Sequence, residues 1–370
     1  MANRIVLNET SYHGAGAIKE IAGEVKTRGF KKAFVCSDPD LVKFGVTKKV
    51  TDVLDDAGLA YEIYSNIKPN PTIENVQTGV AAFKASGADY LVAIGGGSSM
   101  DTAKAIGIII ANPEFEDVRS LEGVAPTKKP CVPIIAVPTT AGTAAEVTIN
   151  YVITDVEKKR KFVCVDTHDI PVVAVIDPEM MSSMPKGLTA ATGMDALTHA
   201  VEAYIGNSTT PGTRKNALDA VKLIFENLDT AYTDGSNKEA RRNMLRASYF
   251  AGCAFTKSYV GYVHAVAHSL GGQYNVPHGL ANAVLLPYVL EAYGKTIHKK
   301  LAALAVAAGV ADTETPVEEA AAGFIQAIKD MKARFGIGDF IPEIQEEDIP
   351  KLSHYADKEA NPLYPVPVLM

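Results

Sequence analysis

Histidine and aspartate residues at helical spacing are concentrated in the second half of the sequence. Asp195 and His199 are four residues apart in TGMDALTHAVEAY. His264 and His268 repeat that spacing in GYVHAVAHSLGG, and His278 follows after a loop. Residues four apart lie on one face of a helix, and polar side chains in such apolar surroundings are costly unless they are satisfied. We therefore expect these side chains to converge on a divalent metal ion.

The residue types restrict which metal could bind. The group contains one carboxylate, several imidazoles and no sulfur, which suits iron(II) or zinc and disfavours calcium and magnesium. Five side chains compete for four places, so His268 either binds the metal or stands behind it as a proton carrier. Spacing alone leaves that choice open. A single buried histidine is commonly a hydrogen-bonded core residue, but four with an aspartate partner favour a metal site.

A glycine-rich turn in the first half has the chemistry of a phosphate-binding loop. The predicted strand Tyr90–Ile94 runs directly into GGGS at residues 95–98, where a helical pattern begins. Glycines let the backbone turn sharply and approach a ligand, and a helix N-terminus attracts an anion. Ser98 and Asp101 also match an S-x-x-D capping box, which is a purely structural use of both.

A second loop strengthens the case for a dinucleotide. The predicted strand Val132–Val137 opens into PTTAGT at residues 138–143. Ligands of open α/β sheets bind at the carboxyl ends of the strands, where small hydroxyl side chains can reach phosphate and ribose oxygens. Two such loops at one sheet edge predict a dinucleotide site.

The ribose-binding carboxylate is expected at an unusual place. No acidic candidate stands about twenty residues after the glycine loop, where it is usual. Asp38 instead follows the earlier predicted strand Ala33–Ser37. A carboxylate there could bind the ribose diol and repel a 2′-phosphate, which predicts NAD over NADP. The alternative is a helix cap, because Asp38-Pro39-Asp40 also resembles a helix start.

The pattern of elements predicts two domains. Short β-branched runs alternate with amphipathic segments in the first half, which indicates a Rossmann-like α/β domain with a mostly parallel sheet. Further strands at 149–154, 161–165 and 172–176 should continue or cover that sheet. Beyond Asp177-Pro178 the sequence predicts only helices, near 186–205, 214–233, 238–258, 262–273, 279–294, 296–309 and 316–335. We expect an α/β domain at 1–180 and an all-helical domain at 181–370.

The overall composition indicates which classes of partner are excluded and in which compartment the protein is expected. The 370 residues carry a formal net charge of −7 without a dense basic block, which argues against nucleic acid or an anionic membrane as partner. No secretory signal is visible at the start of the sequence. The four cysteines form no C-x-x-C pair, as expected for reduced thiols in a cytoplasmic protein.

Several long segments together resemble the iron-containing (group III) alcohol dehydrogenases, in particular their lactaldehyde reductase (propanediol oxidoreductase) branch. The resemblance covers nearly the whole chain and is densest in RSLEGVAPTKKP, PTTAGTAAEVTINYVITD, KFVCVDTHDIP, ATGMDALTHAVEAY and HGLANAVLLP. It implies a dehydroquinate synthase-like architecture with the site in a cleft between the two domains. It also implies a homodimer that uses NAD and iron(II), with zinc possible, on a small alcohol, diol or aldehyde.

The resemblance assigns roles to individual residues. It places the metal on Asp195, His199, His264 and His278, with His268 as a catalytic residue or just behind the metal. Cofactor contacts fall on Asp38, Asn70, Gly96, Gly97, Ser98, Thr139, Thr140, Thr143 and Lys161. Substrate-pocket residues fall on Asn150, Val152 and Phe255. The segment 207–240 matches the lactaldehyde branch poorly, and relatives carry one more helix where this chain stops at NPLYPVPVLM.

Three alternatives share part of this pattern. A zinc-dependent, glycerol dehydrogenase-like enzyme would differ in metal and substrate. A dehydroquinate synthase-like enzyme would need a basic phosphate-binding cluster near the metal ligands, which the helical half lacks. A non-catalytic dinucleotide-sensing module would need a closed structural metal site, which is usually built with cysteine.

Overall fold

The computed structural model describes residues 2–370, which divide into two compact units. The first contains the residues up to Thr140 together with Ala144–Ser183, and the second contains Ala141–Thr143 and Met184–Met370. This division falls just beyond the predicted boundary at residue 180. The strands of the first unit are β1 (Thr10–His13), β2 (Lys32–Ser37), β3 (Ala60–Tyr64), β4 (Tyr90–Gly95), β5 (Ile134–Pro138), β6 (Asn150–Asp155), β7 (Arg160–Val165) and β8 (Val173–Ile176).

Six of these strands form one parallel sheet in the order β1-β8-β5-β4-β2-β3. Its helices are α1 (Glu20–Arg28), α2 (Pro39–Lys43), α3 (Val46–Asp56), α4 (Ile73–Ser86) and α5 (Gly97–Ala111). The predicted Rossmann-like parallel sheet is confirmed. The sheet is covered on both faces, and strands such as β2 bury apolar side chains on each side: Val35 packs with α1 and α3, whereas Phe34 packs with α4 and α5.

Two of the predicted extra strands do not join the sheet. β6 and β7 pair with each other as an antiparallel hairpin, while β8 lies between β1 and β5 in the sheet. Tyr151, Ile153 and Phe162 of the hairpin pack against α4 and α5. The hairpin therefore forms an additional layer over these helices, which places β6 next to the helix that follows the glycine loop.

The second unit is helical throughout, as expected. Its helices are α6 (Lys186–Ile205), α7 (Pro211–Thr233), α8 (Lys238–Ser258), α9 (Tyr262–Tyr274), α10 (His278–Tyr293), α11 (His298–Ala307), α12 (Val317–Arg334) and α13 (Ile349–Leu363). The sequence pattern missed α13, whose apolar face consists of Leu352, Ala356 and Ala360 at four-residue spacing. Among residues 2–370, no helix combines the length and apolar composition needed to cross a membrane.

Candidate active site

Four side chains of the second unit bring potential metal-ligand atoms together. One ligand atom from each of Asp195, His199, His264 and His278 lies within 4.8 Å of all the others. Asp195 Oδ1 is 3.5 Å from His278 Nε2 and 4.0 Å from His264 Nε2. Two ligands bonded to one tetrahedral ion at about 2.1 Å lie roughly 3.4 Å apart, so these separations suit a shared cation.

Helix geometry explains how these residues meet. Asp195 and His199 are one turn apart on α6, His264 is near the start of α9, and His278 is the first residue of α10. Gly279 lets α10 approach α6 closely, because a Cβ at this position would lie 2.5 Å from the carbonyl oxygen of Ala191. The glycine after His278 therefore permits the close packing that brings this histidine to Asp195.

Two imidazoles of the four-residue group are held at Nδ1 by an oxygen atom. His264 Nδ1 lies 2.6 Å from Oε2 of the buried Glu202, and His199 Nδ1 lies 3.2 Å from the carbonyl oxygen of Gly142. Each oxygen can only accept, so Nδ1 carries the hydrogen and Nε2 keeps its lone pair. The sequence reasoning missed Glu202, although it lies two helical turns after Asp195 on α6 and shares its face.

The side-chain amide of Asn282 lies next to three of the potential metal-ligand atoms. Its Nδ2 is 2.7 Å from Asp195 Oδ1, 3.2 Å from His264 Nε2 and 3.1 Å from His278 Nε2. An amide nitrogen has two hydrogens and lies within hydrogen-bond distance of three potential ligand atoms here, so it cannot donate to all of them. A cation could satisfy all three at once, which supports the fit of this donor set to a metal.

Electrostatics keep His199 neutral and favour positive charge at His264. Burial lowers the pKa of His199 well below its usual value, and the neighbouring His264 lowers it further, so this imidazole is neutral as a metal ligand must be. Burial opposes charge on His264 as well, but the hydrogen bond and charge of Glu202, with Asp195, raise its pKa. The carboxylates that favour a proton on His264 would equally favour a metal cation.

His268 lies beside the four-residue group and is not part of it. Its ring stacks on that of His278, with centroids 5.2 Å apart, and its Nδ1 lies 2.8 Å from Oε1 of Glu359. The arrangement favours the second of the two expected roles, a histidine next to the metal ligands. The sequence reasoning did not identify Glu359, because this residue lies 91 positions after His268 and belongs to α13, the helix that the sequence pattern missed.

The glycine loop of the first unit has the expected form. Gly95 has a φ of 152°, and a Cβ on it would lie 2.3 Å from Ser99 Oγ. Helix α5 begins at Gly97 with Gly96 as its N-cap and no side-chain cap. The expected Ser98–Asp101 capping box is therefore wrong: Asp101 Oδ2 instead accepts from the backbone N–H of Val152 at 3.2 Å. The first N–H groups of α5 receive no side-chain cap, which fits an anion site.

Two of the expected cofactor residues, Thr139 and Thr140, lie next to the glycine loop. The N–H of Thr139 donates to the carbonyl oxygen of Gly95 at 3.0 Å. Thr140 lies against Gly96, where an added Cβ would be 3.2 Å from Thr140 Oγ1. Thr143 belongs to the second unit.

Three further cofactor predictions have identifiable contacts. Asp38 Oδ1 accepts from the backbone N–H groups of Asp40 and Leu41, both at 3.0 Å, so Asp38 is the N-cap of α2. Both bonds use one oxygen, which leaves Oδ2 for a ribose. Lys161 Nζ donates to Asn70 Oδ1 at 2.5 Å, so this pair is brought together from positions 91 residues apart.

The expected pocket residues fall on two elements. Asn150 and Val152 are two apart on β6 and therefore share a face of the hairpin. Lys104 and Asp101 of α5 hold this strand, because Lys104 Nζ donates to the carbonyl oxygen of Asn150 at 2.9 Å. In the second unit, Phe255 stacks on His199 with ring centroids 4.2 Å apart. Phe255 thus covers one face of an imidazole in the four-residue group.

Comparison with known families agrees with this combination of sheet, glycine loop and histidine cluster. Residues 8–178 match the sequence model of iron-containing alcohol dehydrogenase, and residues 189–367 match that of the C-terminal region of the Fe-containing alcohol dehydrogenase family. The chain belongs to the iron-containing alcohol dehydrogenase family. It is accordingly an enzyme, an oxidoreductase of the alcohol dehydrogenase class.

Individual relatives cover almost the whole chain. Lactaldehyde reductase of Escherichia coli (strain K12) is 50% identical over 358 residues, which are 96% of this chain and 93% of the relative. The crystal structure of a 1,3-propanediol oxidoreductase has a TM-score of 0.95 and 39% identity, covering 100% of this chain and 97% of the other. Sulfoacetaldehyde reductase from Bifidobacterium kashiwanohense, in complex with NAD+, has a TM-score of 0.85 and 29% identity, covering 99% and 95%.

Proposed function

We propose that the chain transfers hydride between NAD(H) and a small alcohol or diol and its aldehyde, of the lactaldehyde and 1,2-propanediol type, with a metal as Lewis acid. The observation that carries this proposal is the convergence of Asp195 and three imidazoles within 4.8 Å in a member of this family. The choice of lactaldehyde is supported by 50% identity to a lactaldehyde reductase over 96% of the chain.

The proposal assigns the metal, iron(II) or alternatively zinc, to Asp195, His199, His264 and His278. The cofactor NAD is assigned to Asp38, Asn70, Gly96, Gly97, Ser98, Thr139, Thr140, Thr143 and Lys161. The substrate pocket is assigned to Asn150, Val152 and Phe255. When bound, the cation supplies a Lewis acid for the substrate oxygen without changing oxidation state, and NAD supplies the hydride acceptor.

The protein's own residues handle the proton and the surroundings of the reaction. Oxidation of an alcohol releases one hydride and one proton, and His268 Nε2 is the proposed acceptor of that proton, which it passes to solvent. In the reduction direction His268 donates it. Phe255 is 5% exposed and stacks on His199, so it keeps water from that side of the ligand ring.

The remaining expectations concern assembly and location. We propose a cytoplasmic homodimer that acts on small molecules and binds neither nucleic acid nor membrane. No disulfide joins any two of the four cysteines, all of which lie among residues 2–370, and this supports a reducing compartment. Light scattering coupled to size-exclusion chromatography measures the assembly directly. No observation favours a zinc-dependent polyol dehydrogenase or a non-catalytic dinucleotide sensor.

The test removes one ligand and follows metal and activity together. Protein purified without oxygen is loaded with iron(II) or zinc, and NADH absorbance is followed with lactaldehyde, 1,2-propanediol, ethanol, butanal and glycerol. We expect His264→Ala to lose bound metal and to lose turnover by at least 100-fold, since loss of an outer partner alone typically costs 10–100-fold.

The matched control is His354→Ala, because His354 is an exposed histidine on α13 outside the group. It should keep both metal and turnover. Full turnover by metal-free His264→Ala protein would refute the Lewis-acid role, and preference for glycerol over lactaldehyde and propanediol would refute the substrate assignment.

A further inference from the structure

A carboxylate on the last helix contacts the one clustered histidine that is not a predicted metal ligand. Glu359 of α13 places Oε1 2.8 Å from His268 Nδ1, and the hydroxyl of Tyr364 donates to the same oxygen at 2.7 Å. The side chains of His268 and Glu359 are 6% and 11% exposed, and Tyr364 is buried. Two donors from different directions therefore hold this carboxylate oxygen in place.

The hydrogen bond determines which ring nitrogen of His268 carries a hydrogen. An ionised carboxylate can only accept, so the contact requires a hydrogen on Nδ1. A neutral imidazole has one N–H, and its lone pair is then on Nε2. Stacking on His278 fixes the plane of the ring, and the Glu359 bond fixes its rotation within that plane.

We propose that Glu359 is a positioning residue, which holds His268 in the orientation and Nδ1–H tautomer that present the Nε2 lone pair to the substrate hydroxyl. This inference rests on the proposed function, in which His268 carries the proton. Tyr364 supports the same arrangement by holding Glu359 Oε1. Helix α13 would therefore contribute to the reaction without touching substrate or cofactor.

The site contains a second carboxylate–imidazole pair that serves as an internal comparison. Glu202 Oε2 lies 2.6 Å from His264 Nδ1, and His264 belongs to the four-residue ligand group. Both pairs impose a hydrogen on Nδ1, but Nε2 of His264 faces Asp195 and Asn282 within the group, whereas His268 lies outside the group. Loss of Glu202 should therefore reduce metal binding, and loss of Glu359 should reduce proton transfer while metal remains.

The experiment compares Glu359→Ala, Glu359→Gln and Glu202→Gln in the full-length, metal-loaded enzyme. We expect Glu359→Ala to lower kcat at least tenfold while metal content and the KM for NAD stay within twofold of wild type. Added formate should restore part of kcat by replacing the carboxylate. Glu202→Gln should instead lose metal. The matched control is Lys358→Ala, the exposed neighbour on α13, which should change none of these quantities.

A spectroscopic readout separates this inference from the proposed function. In the zinc-loaded, diamagnetic protein, imidazole ¹⁵N shifts assigned with His268→Gln should show a protonated Nδ1 and an unprotonated Nε2 in wild type. This tautomer should be lost in Glu359→Ala. If that variant does not fold, the isosteric Glu359→Gln should show a lower kcat and a shifted Nδ1 resonance.

Unchanged ¹⁵N shifts, or loss of kcat only in proportion to lost metal, would overturn the inference. Absence of metal-dependent NADH turnover in wild type would overturn the proposed function and leave the tautomer measurement intact.

Discussion

Individual hydrogen bonds decide what each imidazole of the cluster can do. His199, His264 and His268 all have an oxygen acceptor at Nδ1, so in each ring Nε2 is the nitrogen that can bind a metal or a proton. The residues of the cluster were predictable because helical spacing brings Asp195 and His199 together. Their oxygen partners were not, because Gly142 and Glu359 come from distant parts of the chain and no local pattern connects them.

The geometry of Asp38 is compatible with both its observed use as a helix cap and its proposed use in binding the ribose. As the N-cap of α2 it binds the N–H groups of Asp40 and Leu41 through Oδ1 alone. The cap therefore fixes the position of the carboxylate at the end of β2 and leaves Oδ2 available. The helix-cap alternative and the ribose-binding prediction need not exclude each other.

The two uses of Asp38 can be separated by substitution with Asn, which is an equally good N-cap but carries no charge. Asp38→Asn should keep the melting temperature, and kcat/KM for NADP should rise roughly tenfold relative to NAD, equivalent to about 1.4 kcal/mol less repulsion of the 2′-phosphate. The control variant is Asp40→Asn on the same helix, which should leave the preference for NAD over NADP unchanged. An unaltered NADP/NAD ratio in Asp38→Asn would mean that Asp38 serves only as a cap.

At the scale of elements, helix α5 connects the glycine loop to the strand that carries the predicted pocket residues. Its N-terminus adjoins Gly95 and Gly96, while Asp101 and Lys104, three residues apart on the same helix, bond to the backbone of β6. Lys104 Nζ also donates to the carbonyl oxygen of Thr148. The placement of β6 thus depends on the same helix that begins at the glycine turn.

The backbone of the glycine loop gives a direct test of its role. Gly95→Ala would place a Cβ at a φ of 152° and 2.3 Å from Ser99 Oγ, so the turn must deform. We expect a loss of about 1–3 kcal/mol of stability and at least a tenfold rise in the KM for NAD. The variant Gly58→Ala has a φ of 67° and nothing within 4 Å of the new Cβ, so it shares the strain without touching the loop. Unchanged NAD affinity in Gly95→Ala would show that this turn does not approach the cofactor.

Most element positions could be predicted from the sequence, and the errors have physical reasons. The amphipathic segment at 40–56 has one continuous helical pattern in the sequence but forms two helices, because Gly45 at a φ of 77° separates α2 from α3. Strand β1 was missed because Thr10–His13 is a polar edge strand without an apolar run. The sequence left open whether the strands at 149–154 and 161–165 continue the sheet or cover it, because alternation along a strand does not specify which partner it pairs with.

At the scale of the whole molecule, the sheet-containing unit holds several ionisable groups whose pKa values are raised by burial. Burial raises the pKa of Asp101 to about 7, of Glu146 to about 7 and of Asp169 to about 8, and the charge of Lys104 offsets part of each rise. Lys104 and Asp169 are fully buried, with Nζ and Oδ1 3.6 Å apart. Burying unpaired charge is costly, so these carboxyl groups make the unit's stability depend on pH.

Glu146 allows the sign of that dependence to be tested. It is 2% exposed, its Oε1 has no hydrogen-bond partner, and its pKa rises from 4.5 to about 7 on folding. Below pH 4.5 the Glu146 carboxyl is protonated in both the folded and the unfolded state. Between pH 4.5 and 7 it ionises in the unfolded state first, so its contribution to stability is lost as pH rises through that window.

The neutral isostere Glu146→Gln should match wild type near pH 5 and exceed its unfolding free energy near pH 8.5 by on the order of 3 kcal/mol. Denaturant unfolding at both pH values measures this, with the exposed Glu319→Gln as control. An equal difference between variant and wild type at the two pH values would show that Glu146 is ionised in the folded protein throughout this range.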